Sequence, residues 1–163
     1  MVIKPTFQST KLGKIGGSEM IMSHGDRLLK WYPEKQVQCP LCEECPDSHE
    51  HLFFECPYST LIWQDMKKRI KKDEWSDKWK EILFDISEMP CNNNIMSIMR
   101  RLVLAACVYY IWTERNKRIF SNEKKDYKEV LKDIISNIRF KMASLTVKDS
   151  NMVNEVYKQW KSP

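Results

Sequence analysis

The chain has little glycine: only 4 of its 163 residues, three of them at or before Gly17. Antiparallel β architectures need many tight turns, and glycine supplies the positive φ angles of the common hairpin turns. No segment alternates convincingly between apolar and polar residues, apart from the turn of the cysteine-rich segment described below. An all-β sandwich or barrel is therefore disfavoured.

A long apolar run is also lacking. The longest, Leu102 to Trp112, has eleven residues, whereas a membrane-spanning helix needs about 20. The opening residues, MVIKPTFQST, contain no apolar stretch of the kind found in secretory signals. We therefore expect a buried core helix rather than a membrane anchor, and an intracellular protein, nuclear or cytoplasmic, whose cysteines stay reduced.

The apolar material that is present suffices for a helical core. Hydrophobic residues make up 42% of the chain and include six tryptophans. The formal net charge of +5 permits contact with nucleic acid without requiring it. A chain of this length accommodates one domain, with room for a small metal-stapled appendage.

The most informative segment is the run QCPLCEECPDSHEHLFFECPYS, which contains C-x2-C followed by H-x4-C. Cys39, Cys42, His51 and Cys56 would supply three thiolates and one imidazole, a complete tetrahedral ligand set for zinc. Because a full shell leaves no position for water, the pattern predicts one structural Zn²⁺ in a small zinc knuckle (residues 39–57). Ordinary buried cysteines of a reduced protein are the alternative interpretation.

Two further candidate ligands lie in the same segment, Cys45 and His49. A knuckle this small cannot use six ligands on one ion, so we expect these two to support the site from outside or to remain idle. Phe53 and Phe54 are more readily explained as the floor beneath the metal than as exposed stacking surfaces.

Apolar periodicity outlines a mainly α fold. Pro57 suits the first turn of a helix that carries Ile62 and Met66. A second helix has apolar positions at 75, 79, 82, 83 and 86, and Asn92–Asn94 provide N-cap candidates for a long helix over 95–120. Amphipathic helices over 127–145 and 153–160 complete the prediction. We divide the chain into a flexible tail (1–22), a zinc-binding region with flanking helices (23–90), whose first helix would lie near 23–33, and a C-terminal helical region (91–163).

These motifs, in this order, resemble the zinc-binding domain near the C-terminal end of plant non-LTR retroelement reverse transcriptases. The resemblance rests on DRLLKW, CPLC, EHLFFECP, Trp63 and IWTERN. It implies metal ligands at Cys39, Cys42, His51 and Cys56, and a module that lies beside a polymerase and contacts element RNA or target DNA. The family often has glycine after the second cysteine, where this chain has Glu43.

Catalytic signatures are lacking. The chain has no Y-x-D-D segment of the kind that holds the polymerase metal ions, no glycine-rich phosphate loop and no G-x-S-x-G elbow. Its 22 acidic residues form no obvious nuclease-like cluster. We therefore expect a non-catalytic module.

Nucleic-acid contact would depend on basic residues near the knuckle and at the end of the long helix. The candidates are Lys67, Lys68, Arg69, Lys71, Lys72, Arg115, Lys117 and Arg118. The basic stretch 67–72 is more often a solvated helix face, and Arg115 is more readily assigned to capping and packing. The alternative function is a structural or protein-interaction helical domain, an orphaned element fragment without nucleic-acid binding. Apolar surface around Trp75, Trp79 and Trp160 would favour that alternative.

Overall fold

A computed structural model describes residues 38–89, 92 and 94–161 of the chain. Within these residues, five regular helices follow the knuckle segment (39–57): α1 (Pro57–Arg69), α2 (Trp79–Ser87), α3 (Ile95–Phe120), α4 (Tyr127–Ala143) and α5 (Asn151–Lys161). The described part contains no strand beyond the isolated bridge between Gln38 and Pro46. The predicted mainly α fold with a Cys/His cluster is thereby confirmed. The tail over 1–22 and the first predicted helix lie outside the described residues.

The helix boundaries follow from local chemistry. Pro57 occupies the first turn of α1, where its missing N–H costs no hydrogen bond. The side chain of Asn94 accepts a hydrogen bond from the Met96 N–H and so caps α3. Asp126 and Glu129 form a reciprocal capping box at the start of α4. The long helix therefore has the predicted bounds.

One continuous hydrophobic cluster runs from the knuckle to α5. It includes Leu52 and Phe54 of the knuckle, Trp63 of α1, Cys107 of α3 and Trp160 of α5. The helices α3 and α4 pack on each other, and α1 and α5 cover them. The knuckle is thus part of the core and not an appendage to it. The proposed division at residue 90 stays a prediction.

The tryptophans are buried, and Trp75 lies outside the helix predicted for it. Trp75 does not belong to the second helix but lies in the α1–α2 connection, where its ring stacks on Trp63 at 5.9 Å between centroids. Trp75, Trp79 and Trp160 are only 5%, 7% and 2% exposed. Their apolar area is buried inside the molecule, because the chain after α1 folds back over Trp63.

The long helix is buried on one side only. Val103, Cys107 and Ile111 are fully buried, whereas Tyr109 and Phe120 are 59% and 72% exposed. By length and composition alone α3 could cross a membrane, a test that core helices also pass. The inner side of the run 102–112 packs in the core, and its outer side is exposed.

Candidate metal centre

The first two ligand positions lie on a tight turn. The Glu43 N–H donates to the Cys39 carbonyl at 2.7 Å, and the Cys39 N–H donates to the Cys45 carbonyl at 2.8 Å. Glu43 adopts a φ of 60°, in the left-handed region that favours glycine. The turn therefore has a backbone conformation that suits glycine, although the residue at this position is glutamate.

The second ligand pair lies on an irregular helical turn, His51–Glu55, that leads into α1. The Cys56 N–H donates to the His51 carbonyl at 2.7 Å. Phe54 adopts a φ of 79°, and its strained backbone is held on both sides. Its N–H donates to Ser59 Oγ at 3.1 Å, and its carbonyl accepts from Thr60 Oγ1 at 2.7 Å. The first turn of α1 thus fixes the kink that places His51 and Cys56 on the same side.

The four predicted ligands meet at one point. Their ligand atoms all lie within 4.8 Å of one another. Cys39 Sγ and Cys56 Sγ are 4.0 Å apart, and Cys42 Sγ lies 3.3 Å from His51 Nε2. Zn–S bonds of about 2.3 Å in a tetrahedron require sulfur–sulfur separations of about 3.8 Å. The donor set therefore fits a tetrahedral zinc ion.

The two buried thiols, Cys39 and Cys56, have pKa values shifted in opposite directions. The hydrogen bond between the two thiols lowers the pKa of Cys39 to about 5, against the opposing effect of burial. Backbone N–H groups of Cys42 and Leu41 contribute to the same lowering. The bond to Cys39 and burial raise the pKa of Cys56. Thiolates are the forms that bind a metal ion, so metal binding at this pair would release protons.

Aromatic rings form the floor of the site, as predicted. Phe54 stacks on Trp63 with centroids 4.5 Å apart, and Phe53 lies 5.2 Å from Trp79. Both phenylalanines are fully buried, so neither is available to stack on a base. The nearby Tyr58 ring lies under the Arg118 guanidinium at 4.6 Å.

Cys45 and His49 lie outside the converging set of four. The His49 ring makes edge contacts with Phe53 at 4.8 Å and with Trp79 at 5.0 Å. Its place is in the aromatic floor. Cys45 contributes its carbonyl to the turn that presents Cys39.

Four charged side chains join α3 to the ligand loops. We call them the arginine clasp: Asp47 of the knuckle, and Glu114, Arg115 and Arg118 of the TERNKR segment. Arg115 pairs with Asp47 through two nitrogens, and these side chains are 1% and 0% exposed. Arg118 donates to the carbonyls of Pro40 and Leu41 at 3.2 and 3.0 Å and to Glu114 at 2.8 Å. The carbonyls of the C-P-L-C turn are thereby held from α3.

The clasp changes the interpretation of two predicted nucleic-acid residues. Arg115 is a buried structural residue, and Arg118 is committed to the knuckle, so neither is free to bind phosphate. Sequence reasoning missed Asp47 and Glu114 as their partners. Asp47 precedes Arg115 by 68 positions, and no local pattern indicates such a pair.

The basic residues of the stretch 67–72 differ in burial and in their ion pairs. Lys67 is buried, and its ammonium donates to the Trp75 carbonyl and to Asp77 at 2.8 and 2.7 Å. Its charge holds the α1–α2 connection, which argues against the expected nucleic-acid contact of Lys67. Lys72 pairs with Glu74, and Lys117 pairs with Glu123. Among the residues that the structure describes, Lys68, Arg69 and Lys71 make no ion pair.

Residues 20–63 match the family model described as zinc-binding in reverse transcriptase. The match covers about a quarter of the chain and includes all four converging ligands; the TERNKR segment lies outside it. Comparison with curated proteins and with solved structures gives no match. The family model and the Cys/His cluster together indicate a zinc-binding module.

Proposed function

We propose that this chain is a non-catalytic zinc-binding module derived from the reverse transcriptase of a plant non-LTR retroelement, and that it contacts RNA or DNA inside the cell, in the nucleus or cytoplasm. One structural Zn²⁺ held by Cys39, Cys42, His51 and Cys56 would brace it. The observation that carries the proposal is the convergence of these four ligand atoms within 4.8 Å. Three thiolates and one imidazole form a closed shell, which supplies folding energy rather than a reactive water.

The proposal is tested by the metal content of the purified, reduced protein and of two serine variants. We expect one zinc per chain in the wild type and its loss in Cys42→Ser, because Cys42 Sγ is one of the four ligand atoms. Cys45→Ser is the matched control, since it removes a thiol from the same loop but outside the cluster. Elemental analysis of all three proteins measures this.

A folded wild-type protein without zinc would contradict the proposal. Loss of zinc in Cys45→Ser but not in Cys42→Ser would mean that the ligand set is wrong. Nucleic-acid contact is tested separately, by titration of labelled RNA and DNA at several salt concentrations, because phosphate contacts make affinity fall steeply with salt.

A second candidate is a protein-interaction domain that docks on the polymerase or nuclease domain of the parent element. The observation that favours it is the exposed outer side of α3, where Tyr109, Ile119 and Phe120 are 59%, 43% and 72% exposed. Exposed apolar groups of this size are found at interfaces. Saturable binding to a partner domain, abolished by Tyr109→Lys, would support this candidate.

A further inference from the structure

The C-terminal ends of α1 and α5 meet at one corner of the molecule. Gln159 Nε2 of α5 donates to the Arg69 carbonyl at the end of α1, at 2.9 Å. Arg139 Nε of α4 donates to the Trp160 carbonyl at 2.6 Å. These bonds tie the last turns of two helices to each other and to α4, although Arg69 and Gln159 are 90 positions apart.

This corner collects cations without acidic partners. We call it the basic corner; its residues are Lys68, Arg69, Lys71, Lys158 and Lys161. All four lysines are exposed and Arg69 is partly exposed. In the described part of the chain none of the five takes part in a salt bridge, whereas nine other basic residues do, including the neighbouring Lys67 and Lys72.

Helix capping alone does not explain this concentration of charge. A helix C-terminus carries about −0.5 of an elementary charge, so two of them offset about one cation. Five cations therefore exceed the charge that the two helix ends can offset. Excess positive charge on exposed lysines attracts polyanions, because an ammonium on a flexible stem binds phosphate as a point charge.

A membrane surface fits the corner poorly. A helix that lies in a membrane interface needs an apolar side to insert between the lipids. The apolar side of α5 is already used inside the molecule, where Val156 and Trp160 are 6% and 2% exposed. The corner offers charge without an apolar anchor, which suits a chain of phosphodiesters.

We propose that the basic corner formed by the last turns of α1 and α5 is the surface that binds the phosphate backbone of RNA or DNA. This inference rests on the nucleic-acid contact of the proposed function and locates it. The 13 residues of α1 place its end about 20 Å from its start at Cys56. The predicted zinc ligand Cys56 lies directly before α1, and the proposed phosphate contact lies at the opposite end of that helix.

Three double variants, each lacking two positive charges, test the location: K68Q/K71Q at the end of α1, K158Q/K161Q at the end of α5, and K132Q/K148Q as the control. Lys132 and Lys148 are exposed and lie outside the basic corner. Fluorescence anisotropy with a labelled 20-nucleotide single-stranded RNA, a matched single-stranded DNA and a DNA duplex gives the affinities between 50 and 200 mM salt.

Each corner variant is expected to bind about fivefold or more weakly at 100 mM salt. The slope of log K against log salt for single strands should flatten by about 0.7 for each phosphate that the variant no longer neutralises. The control should stay within about twofold of the wild type. Circular dichroism and zinc content should be unchanged in all three, because these lysines lie far from the ligands.

The outcomes separate this inference from the proposed function. If the wild type binds nucleic acid and the corner variants bind as the control does, the contact lies elsewhere and only the location is overturned. If the zinc-loaded wild type binds none of the three probes, the nucleic-acid part of the proposed function fails and the location fails with it. Binding to vesicles with 30% phosphatidylserine, in the absence of nucleic-acid binding, would likewise overturn it.

Discussion

Glu43 has a backbone conformation that glycine adopts more readily than glutamate does. Its φ of 60° lies in the left-handed region, where the β-carbon of any residue other than glycine is crowded. Its side chain pairs with Lys124 at 2.6 Å, and both groups are largely exposed. An exposed pair of this kind contributes little. The strain in the turn therefore outweighs the ion pair.

We expect Glu43→Gly to stabilise the zinc-loaded protein and raise its Tm by about 2–4 °C. Relief of the crowded φ angle should exceed the loss of the ion pair and the greater freedom of the unfolded chain. Thermal unfolding followed by circular dichroism measures the shift. Glu43→Gln is the control, because it removes the charge but keeps the strained conformation. Equal Tm values for the two variants would contradict this explanation.

At the scale of elements, the arginine clasp joins the knuckle to α3. The Asp47–Arg115 pair is fully buried, and removal of one member of such a pair leaves an uncompensated charge in the core. Single replacements of this kind cost about 3–5 kcal/mol, whereas removal of both members costs much less. Replacement of one member of the Asp47–Arg115 pair should therefore destabilise the protein more than replacement of both.

Asp47→Ala and Arg115→Met should each lower the free energy of unfolding by about 3–5 kcal/mol, and the double variant should be less destabilised than the sum of the two. Urea unfolding of the zinc-loaded proteins gives these values. Lys80→Gln, which breaks the exposed pair with Glu50, should leave stability almost unchanged. Additive effects of Asp47→Ala and Arg115→Met would show that the two side chains act independently.

Elements with local signals could be predicted from the sequence. Asn94 and Ser121 mark the ends of α3, Pro57 marks the start of α1, and the spacing of Cys39, Cys42, His51 and Cys56 predicted their convergence. The capping box of Asp126 and Glu129 also has a local signal, D-x-x-E.

Elements that depend on distant contacts could not be predicted. Lys67 looked like part of a basic helix side, but the connection after α1 folds back and buries it against Asp77. Trp75 has helical spacing with Trp79 but stacks on Trp63 instead. In both cases tertiary packing outweighed the local pattern, because burial of a tryptophan is worth more than a helical turn.

At the scale of the whole molecule, we expect metal binding and core packing to depend on each other. From the sequence alone we expected Cys42→Ser or His51→Ser to unfold residues 39–57 while the long helices keep most of their helicity. The continuous hydrophobic cluster and the clasp change this expectation. Structural zinc sites contribute about 10–16 kcal/mol in small peptides, which is similar to the whole stability of a domain, about 5–15 kcal/mol.

We therefore expect removal of zinc by a chelator at neutral pH to abolish cooperative folding of the whole described part. Ellipticity at 222 nm and tryptophan fluorescence should change together in one transition, and re-addition of zinc should restore both. Magnesium is the control ion, since thiolate ligands bind it poorly. A change in fluorescence with helicity retained would show instead that the helices are independent of the metal.

The Asp47–Arg115 contact also has a consequence for the order of folding. It closes a loop of 68 positions, and the entropy of that closure must be offset before the contact stabilises anything. During synthesis the ligands emerge well before α3, so the turn that holds Cys39 and Cys42 completes its hydrogen bonds only after Arg118 has been made. A peptide of residues 20–63 alone would lack Arg115 and Arg118, which hold Asp47 and the carbonyls of the C-P-L-C turn. The natural folding unit therefore extends beyond the segment that carries the metal ligands.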